Sequence, residues 1–246
     1  MPRSLPLSAL LAAGLCLTAA CSKESGGNAA SADRQSVPAA QDWSALKGFT
    51  AVEAVGPDDV VVTIGDGFAV KAEGDPHAIE KLEITVDNGR LKVGRRSQWT
   101  GSGDKGATIR VTMPAISAVT LTGSGDFGLD RAEGKALDLS LTGSGDMEIG
   151  AVKVGALKAD VTGSGSLEIA GMAEAGRLSL TGSGDIDGEK LKLGKADASL
   201  LGSGDIDFAS DGAVAITIAG PGNVTVKGRA QCRTSGMGPG QARCAP

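Results

Sequence analysis

Asp126, Asp146, Ser166, Asp185, Asp205 and Asn223 follow one another at steps of 20, 20, 19, 20 and 18 residues. Most close a near-identical phrase, first seen as Leu121-Thr122-Gly123-Ser124-Gly125-Asp126. Carboxylates stacked in one column could bind calcium, a hard cation that takes several carboxylate and carbonyl oxygens. Short Gly-rich repeats ending in Asp hold Ca²⁺ between stacked turns in this way. Two features argue for a different use. The spacing is one turn per period of about twenty residues, and neither Ser166 nor Asn223 brings a carboxylate. Asp, Asn and Ser share another ability, which is to accept hydrogen bonds from turn amides. The column is therefore read as a structural turn ladder, with no metal and no cofactor. The Ser124, Ser144, Ser164, Ser183, Ser203 column reads likewise as a hydroxyl ladder along a corner, not as a set of nucleophiles.

A second acidic column, Glu148, Glu168, Asp187 and Asp207, lies two residues beyond the turns and points outward. It is either a solvated face with lysines nearby or a strip for cations or a basic partner; only the second use predicts salt-sensitive binding. Acid–base catalysis has one histidine to draw on, His77, placed on an exposed Pro76 turn. A polysaccharide-cleaving reading could enlist Arg131 and Arg177 with the carboxylates, but the second turns are too short to build groove walls. Aromatic residues make up 2% of the chain and the net charge is −5, which excludes a nucleic-acid partner that needs stacking rings and a basic surface. An aromatic sugar platform is excluded for the same want of rings. An apolar content of 41% is too high for a disordered chain.

The elements that would position these columns follow from alternation. Leu137, Leu139 and Leu141 precede one turn, and Met147 and Ile149 follow it; Leu157, Ala159 and Val161 repeat the pattern. A period of two marks a strand with one buried face. The unit reads as strand, Gly-Ser-Gly turn, strand, and a loop marked by Gly134, Gly155, Gly176, Gly194 and Gly212. So short a unit cannot bury its own apolar face, and stacking at strand spacing must do it. Two inward ladders result: Phe127, Met147, Leu167, Ile186, Ile206, Val224; and Leu129, Ile149, Ile169, Gly188, Phe208, Val226. The fold class is all-β, a right-handed parallel β-helix of about six coils of about twenty residues over 119–246, with a β-roll or an antiparallel β-prism as alternatives. Residues 47–118 form an N-terminal β-rich cap region. Strands are expected from Phe49, Val60, Phe68, Leu82, Leu91 and Ala107, with a hairpin at Asn88-Gly89 and a helical turn after Asp75-Pro76. A stray Thr100-Gly101-Ser102-Gly103-Asp104, just after Trp99, lies in a long loop without flanking alternation.

Residues 1–20 read as a signal peptide: Arg3, an apolar run from Leu5 to Leu17, then Ala19 and Ala20. Leu17-Thr18-Ala19-Ala20-Cys21 resembles a bacterial lipobox, which makes Cys21 the lipidation site and 21–46 a flexible linker. Cleavage after Ala20 without lipidation is the alternative. Ser22 after the cysteine would favour the outer membrane. In an exported protein the remaining pair, Cys232 and Cys244, is expected to form a disulfide.

Gly48-Phe49-Thr50-Ala51-Val52, Val60-Val61-Val62-Thr63, and Leu82-Glu83-Ile84 before Leu91-Lys92-Val93, followed by the Thr-Gly-Ser-Gly-Asp coils, carry a family likeness. Over about residues 47–246 the chain resembles the putative auto-transporter adhesin, head GIN domain family. The resemblance implies a β-helical exported domain with no established enzymatic activity and no catalytic residues to carry over. The expected function is a non-enzymatic envelope protein, held to the membrane by its N-terminal lipid and facing periplasm or surface. It would present a repetitive surface to an unidentified envelope or surface ligand. A purely structural envelope component is the competing expectation, with a calcium-binding or polysaccharide-acting β-helix behind it.

Overall fold

The computed structural model describes residues 42–96 and 106–245. The signal segment, Cys21, most of the linker, Trp99 and the 100–104 copy lie outside the described residues. The repeats form four long strands, β8 (Phe127–Gly143), β9 (Met147–Gly163), β10 (Leu167–Gly182) and β11 (Ile186–Gly202). Shorter ones complete the later rungs: β12 (Ile206–Ser210), β13 (Ala213–Ala219), β14 (Val224–Lys227), β15 (Gln231–Met237) and β16 (Ala242–Ala245). Each pairs in parallel with its equivalent one rung away, giving a parallel β-solenoid of about six turns.

The inward ladder is the reason for the stacking. Phe127 aligns with Met147, then Leu167, Ile186, Ile206 and Val224, and each of the six is at most 1% exposed. Burying one such side chain contributes about 1.5–3 kcal/mol, so each rung is stabilised mainly by its neighbours. In the next ladder Gly188 faces Phe208, and a Cβ at Gly188 would stand 3.2 Å from the Leu191 Cβ. The small residue makes room for two large ones. Bulk lost on one level is recovered on the next.

The expected loop between strands is instead a third paired side. Arg131–Gly134 align with Ala151–Val154, between the paired stretches 127–129 and 136–143. Its inward residues Ala132, Val152, Ala173 and Leu191 are all buried. In β8 and β9 a single residue turns each of these corners, Asp130 or Gly150 at the first and Lys135 or Gly155 at the second, so the chain stays extended where a loop was expected.

The N-terminal segment begins with β1 (Ala51–Gly56) and β2 (Asp59–Ile64), which occupy the place of a rung. β1 runs parallel to β7 (Ala118–Gly123), with Gly56 against Gly123, and Val60 of β2 aligns with Phe127. Over this rung lie β5 (Arg90–Arg95) on β1 and β6 (Ala107–Met113) on β2. Antiparallel strands finish each side, β4 (Leu82–Asp87) on β5 and β3 (Ala69–Gly74) on β6. Asn88 (φ 50°) and Gly89 (φ 73°) make the tight β4–β5 hairpin, which needs positive φ at both positions. Helix α1 (Pro76–Lys81) starts at Asp75, whose carboxylate accepts from the His77 amide, with Pro76 in the first turn.

Candidate functional site

The Gly-Ser-Gly-Asp corner is where sequence repetition is strictest. Ser144 and Gly145 amides both donate to the Gly123 carbonyl, at 2.9 and 3.2 Å, and Ser164 and Gly165 do the same to Gly143. Gly143 has φ +130°, and a Cβ there would stand 2.1 Å from the Gly123 oxygen; at Gly145 it would stand 2.0 Å from the Gly125 oxygen. The rungs approach too closely for any side chain at these two places.

The turn ladder is a set of rung-to-rung hydrogen bonds. Asp126 Oδ1 accepts from the Asp146 amide at 2.9 Å, Asp146 from Ser166 at 2.8 Å, and Asp185 from Asp205 at 2.9 Å. Asp205 Oδ1 accepts both the amide of Asn223 (2.8 Å) and its side-chain Nδ2 (3.0 Å). The series begins a rung earlier than the repeat suggests, because Asp59 Oδ1 accepts from the Asp126 amide at 3.0 Å. A carboxylate is the stronger acceptor for such an amide. Among the described residues no group of three or more His, Cys, Asp or Glu is placed to hold a metal ion.

Beside the ladder runs the outward acidic column: Glu148 aligns with Glu168, then Asp187 and Asp207. Lys190 partly offsets it, 3.5 Å from Glu168, while Lys227 pairs with Glu189 beside the column at 2.8 Å. Partial burial pushes the Asp207 carboxyl above the usual carboxylate range; the charges of Asp205 and Asp187 push the same way, against the Thr225 hydroxyl. A shallow hollow on this face is rimmed by Asp59, Asp126, Asp146, Glu148 and Glu168.

Arg131 and Arg177 are not brought together. Arg131 donates to the Ile64 carbonyl at 2.6 Å, while Arg177 lies on another side, 3.8 Å from Asp197. His77 is exposed on α1, away from both acidic columns. Cys232 and Cys244 form a disulfide, with Cα atoms 6.6 Å apart. Their partners in register are the buried Val214 and Val226, so the bond crosses the end of the apolar interior where Val gives way to Cys.

One constellation had no signal in the repeat. Asp58 is buried and accepts both Arg95 Nε and Nη2 at 2.6 Å, and its Oδ1 also takes the Ala107 amide at 2.9 Å. The two side chains are 3% and 6% exposed. Asp58 stands where the second glycine of the motif stands in later rungs, and it ties the first corner to β5 and β6. The degenerate phrase Gly56-Pro57-Asp58-Asp59 was the available clue.

Comparison with known proteins adds the following. The family described as putative auto-transporter adhesin, head GIN domain, matches residues 48–230. Among solved structures, a putative adhesin from Bacteroides fragilis superposes with TM-score 0.77 at 22% identity, covering 81% of this chain and 93% of its own. A putative lipid binding protein from Parabacteroides distasonis gives TM-score 0.64 at 19% identity, with 81% and 93% covered. A putative adhesin from the same species gives 0.63 at 20%, with the same coverage. At these identities the likeness is one of fold. Comparison with curated proteins gives no match.

Proposed function

Because the chain belongs to the putative auto-transporter adhesin, head GIN domain family, we propose that it is a cell-envelope protein that binds or adheres through its repetitive β-helical surface, without catalysis. The observation that carries the reading is the register itself. The Gly-Ser-Gly-Asp corner and the acidic column set the same class of side chain at the same place on successive rungs, so a ligand met there on one level is met again on the next. Weak contacts repeated along one rigid axis combine by raising effective concentration, which suits attachment. In this proposal Cys21 carries the lipid, residues 21–46 are the tether, and the solenoid projects from the outer membrane toward the periplasm or the surface. No described helix is long and apolar enough to cross a membrane.

A structural envelope role is favoured by one observation, the use of the ladder carboxylates as amide acceptors. The two readings part in a capture experiment. Residues 39–246 immobilised on beads are challenged with envelope fractions and intact cells, with and without high salt and EDTA. Specific capture weakened by salt supports binding, and retention no better than blank beads favours the structural role. The anchor is tested separately: Cys21→Ser should move the full chain from the membrane to the soluble fraction.

A further inference from the structure

A groove runs along the solenoid at the corner between the side of residues 131–134 and the side of residues 136–143. Two adjoining hollows, of about 480 and about 330 Å³, share Ala175, Gly176 and Asp197. Beneath them runs the column Leu137, Leu157, Gly176, Ala196, Val214, and Leu193 fills the interior at Gly176, where a Cβ would stand 2.5 Å from its Cδ1. Exposed Ala156 and half-buried Ala175 keep the mouth open on the rungs where a larger residue would close it.

The groove's charge differs from that of the rest of the molecule. Lys158, Arg177, Lys195 and Arg233 line it, against Asp138 and Asp197, in a chain of net charge −5. Lys158 and Arg177 are stacked on adjacent rungs, an arrangement that destabilises a sheet when like charges face one another. On its other neighbouring rung each faces a carboxylate, Lys158 against Asp138 and Arg177 against Asp197, and Lys195 and Arg233 carry the groove's excess of positive charge. Both side chains remain more than half exposed although each has a carboxylate in reach. The cations recur over several rungs, so they match a ligand extended along the axis and not a single small anion.

We propose that this groove binds a linear carboxylate-bearing polysaccharide. The guanidinium and ammonium groups take the spaced carboxylates, with Arg177 offering the two-pronged geometry a carboxylate fits. Asp138 and Asp197 accept hydrogen bonds from sugar hydroxyls between the charged positions. The same two aspartates repel the denser charge of a phosphate backbone. A floor of Ala and Gly lacks the pockets for aromatic anchors that protein partners use. The inference deepens the binding role proposed above by naming a site and a ligand class, and it rests on that role.

The test uses residues 39–246 and polygalacturonate, measured by calorimetry at low and high salt, beside the same polymer fully methyl-esterified. The proposal expects binding of the acid form only. It expects at least a tenfold loss of affinity in Lys158→Gln/Arg177→Gln and unchanged affinity in Lys227→Gln, with circular dichroism unaltered in both. Equal affinity in the Lys158/Arg177 variant, equal binding of the ester, or no binding of the acid form would overturn it. If polygalacturonate fails while the bead-bound chain still captures cells, the groove assignment falls and the adhesive reading stands; if both fail, both fall.

Discussion

Asp207 sits between Asp187 and Thr225 on the acidic column, and its carboxyl titrates above the ordinary range because burial and two neighbouring carboxylates disfavour the charge. A raised folded-state value means the native protein holds this proton more tightly than the unfolded chain does. Stability from this group is therefore full below the ordinary Asp range and is lost as pH rises through the elevated value. Asp207→Asn should thus stabilise the protein at pH 7 by a few tenths of a kcal/mol, the scale of a facing like-charge pair. The gain should vanish in acid, where Asp207 is protonated. Urea unfolding at the two pH values checks this, and a gain independent of pH would assign the effect to packing instead. Asp58 makes the opposite case. Its removal takes the two-pronged acceptor from Arg95 and this acceptor from the buried Ala107 amide, so Asp58→Ala should cost about 1–3 kcal/mol in the same measurement.

At the scale of elements, the last described rung is held differently from the others. Its inward positions carry Cys232, Thr234 and Gly236 where the rung before has Val214, Ile216 and Ile218. The disulfide ties β15 to β16 in place of apolar bulk. A cross-link closing a loop this short contributes about 3 kcal/mol in the chain-entropy account, but in a solenoid that gain is local. Cys232→Ser/Cys244→Ser should accelerate amide exchange throughout β15 and β16 while leaving β8 to β11 protected. Equal acceleration in every rung would show that the terminal rung clamps the whole stack. The same contrast between regular and irregular elements explains what could be read beforehand. The turn glycines and the ladders from Phe127 and Leu129 were legible because strict alternation flanks a fixed period. The third side was not. Ala132, Val152, Gly171 and Leu191 differ in size, and the register slips between Ile169 and Ala170 and again between Gly188 and Lys192, so the period of two breaks at the corners. The Asp58–Arg95 pair was hidden for another reason: its members are 37 residues apart, and only the stacking of β5 and β6 over β1 and β2 brings them together.

For the molecule as a whole, a stack of equivalent rungs makes stability a sum of units and of the contacts between neighbours. That claim can be tested by shortening the chain by one period. Deleting residues 147–166 joins Asp146 directly to Leu167, so the corner Gly143-Ser144-Gly145-Asp146 is kept intact before the next strand. β10 then lies on β8, Leu167 takes the place of Met147 above Phe127, and Asp146 Oδ1 meets the Asp185 amide in place of that of Ser166. Ser166 and the terminal Asn223 are the steps of the ladder without a carboxylate, and losing Ser166 leaves an unbroken run of Asp from Asp126 to Asp205. The cap over β1 and β2 and the disulfide rung are untouched. The shortened chain should fold with the same β-rich circular dichroism and a single cooperative transition, at a lower denaturant midpoint because one interface is gone. A deletion of ten residues in the same place, 147–156, removes less core, yet it sets the corner Gly163-Ser164-Gly165 against the strand at Glu133-Gly134-Lys135. That variant should not fold. If the two deletions behave alike, the period is not what specifies the structure, and the functional argument built on repeated faces loses its footing with it.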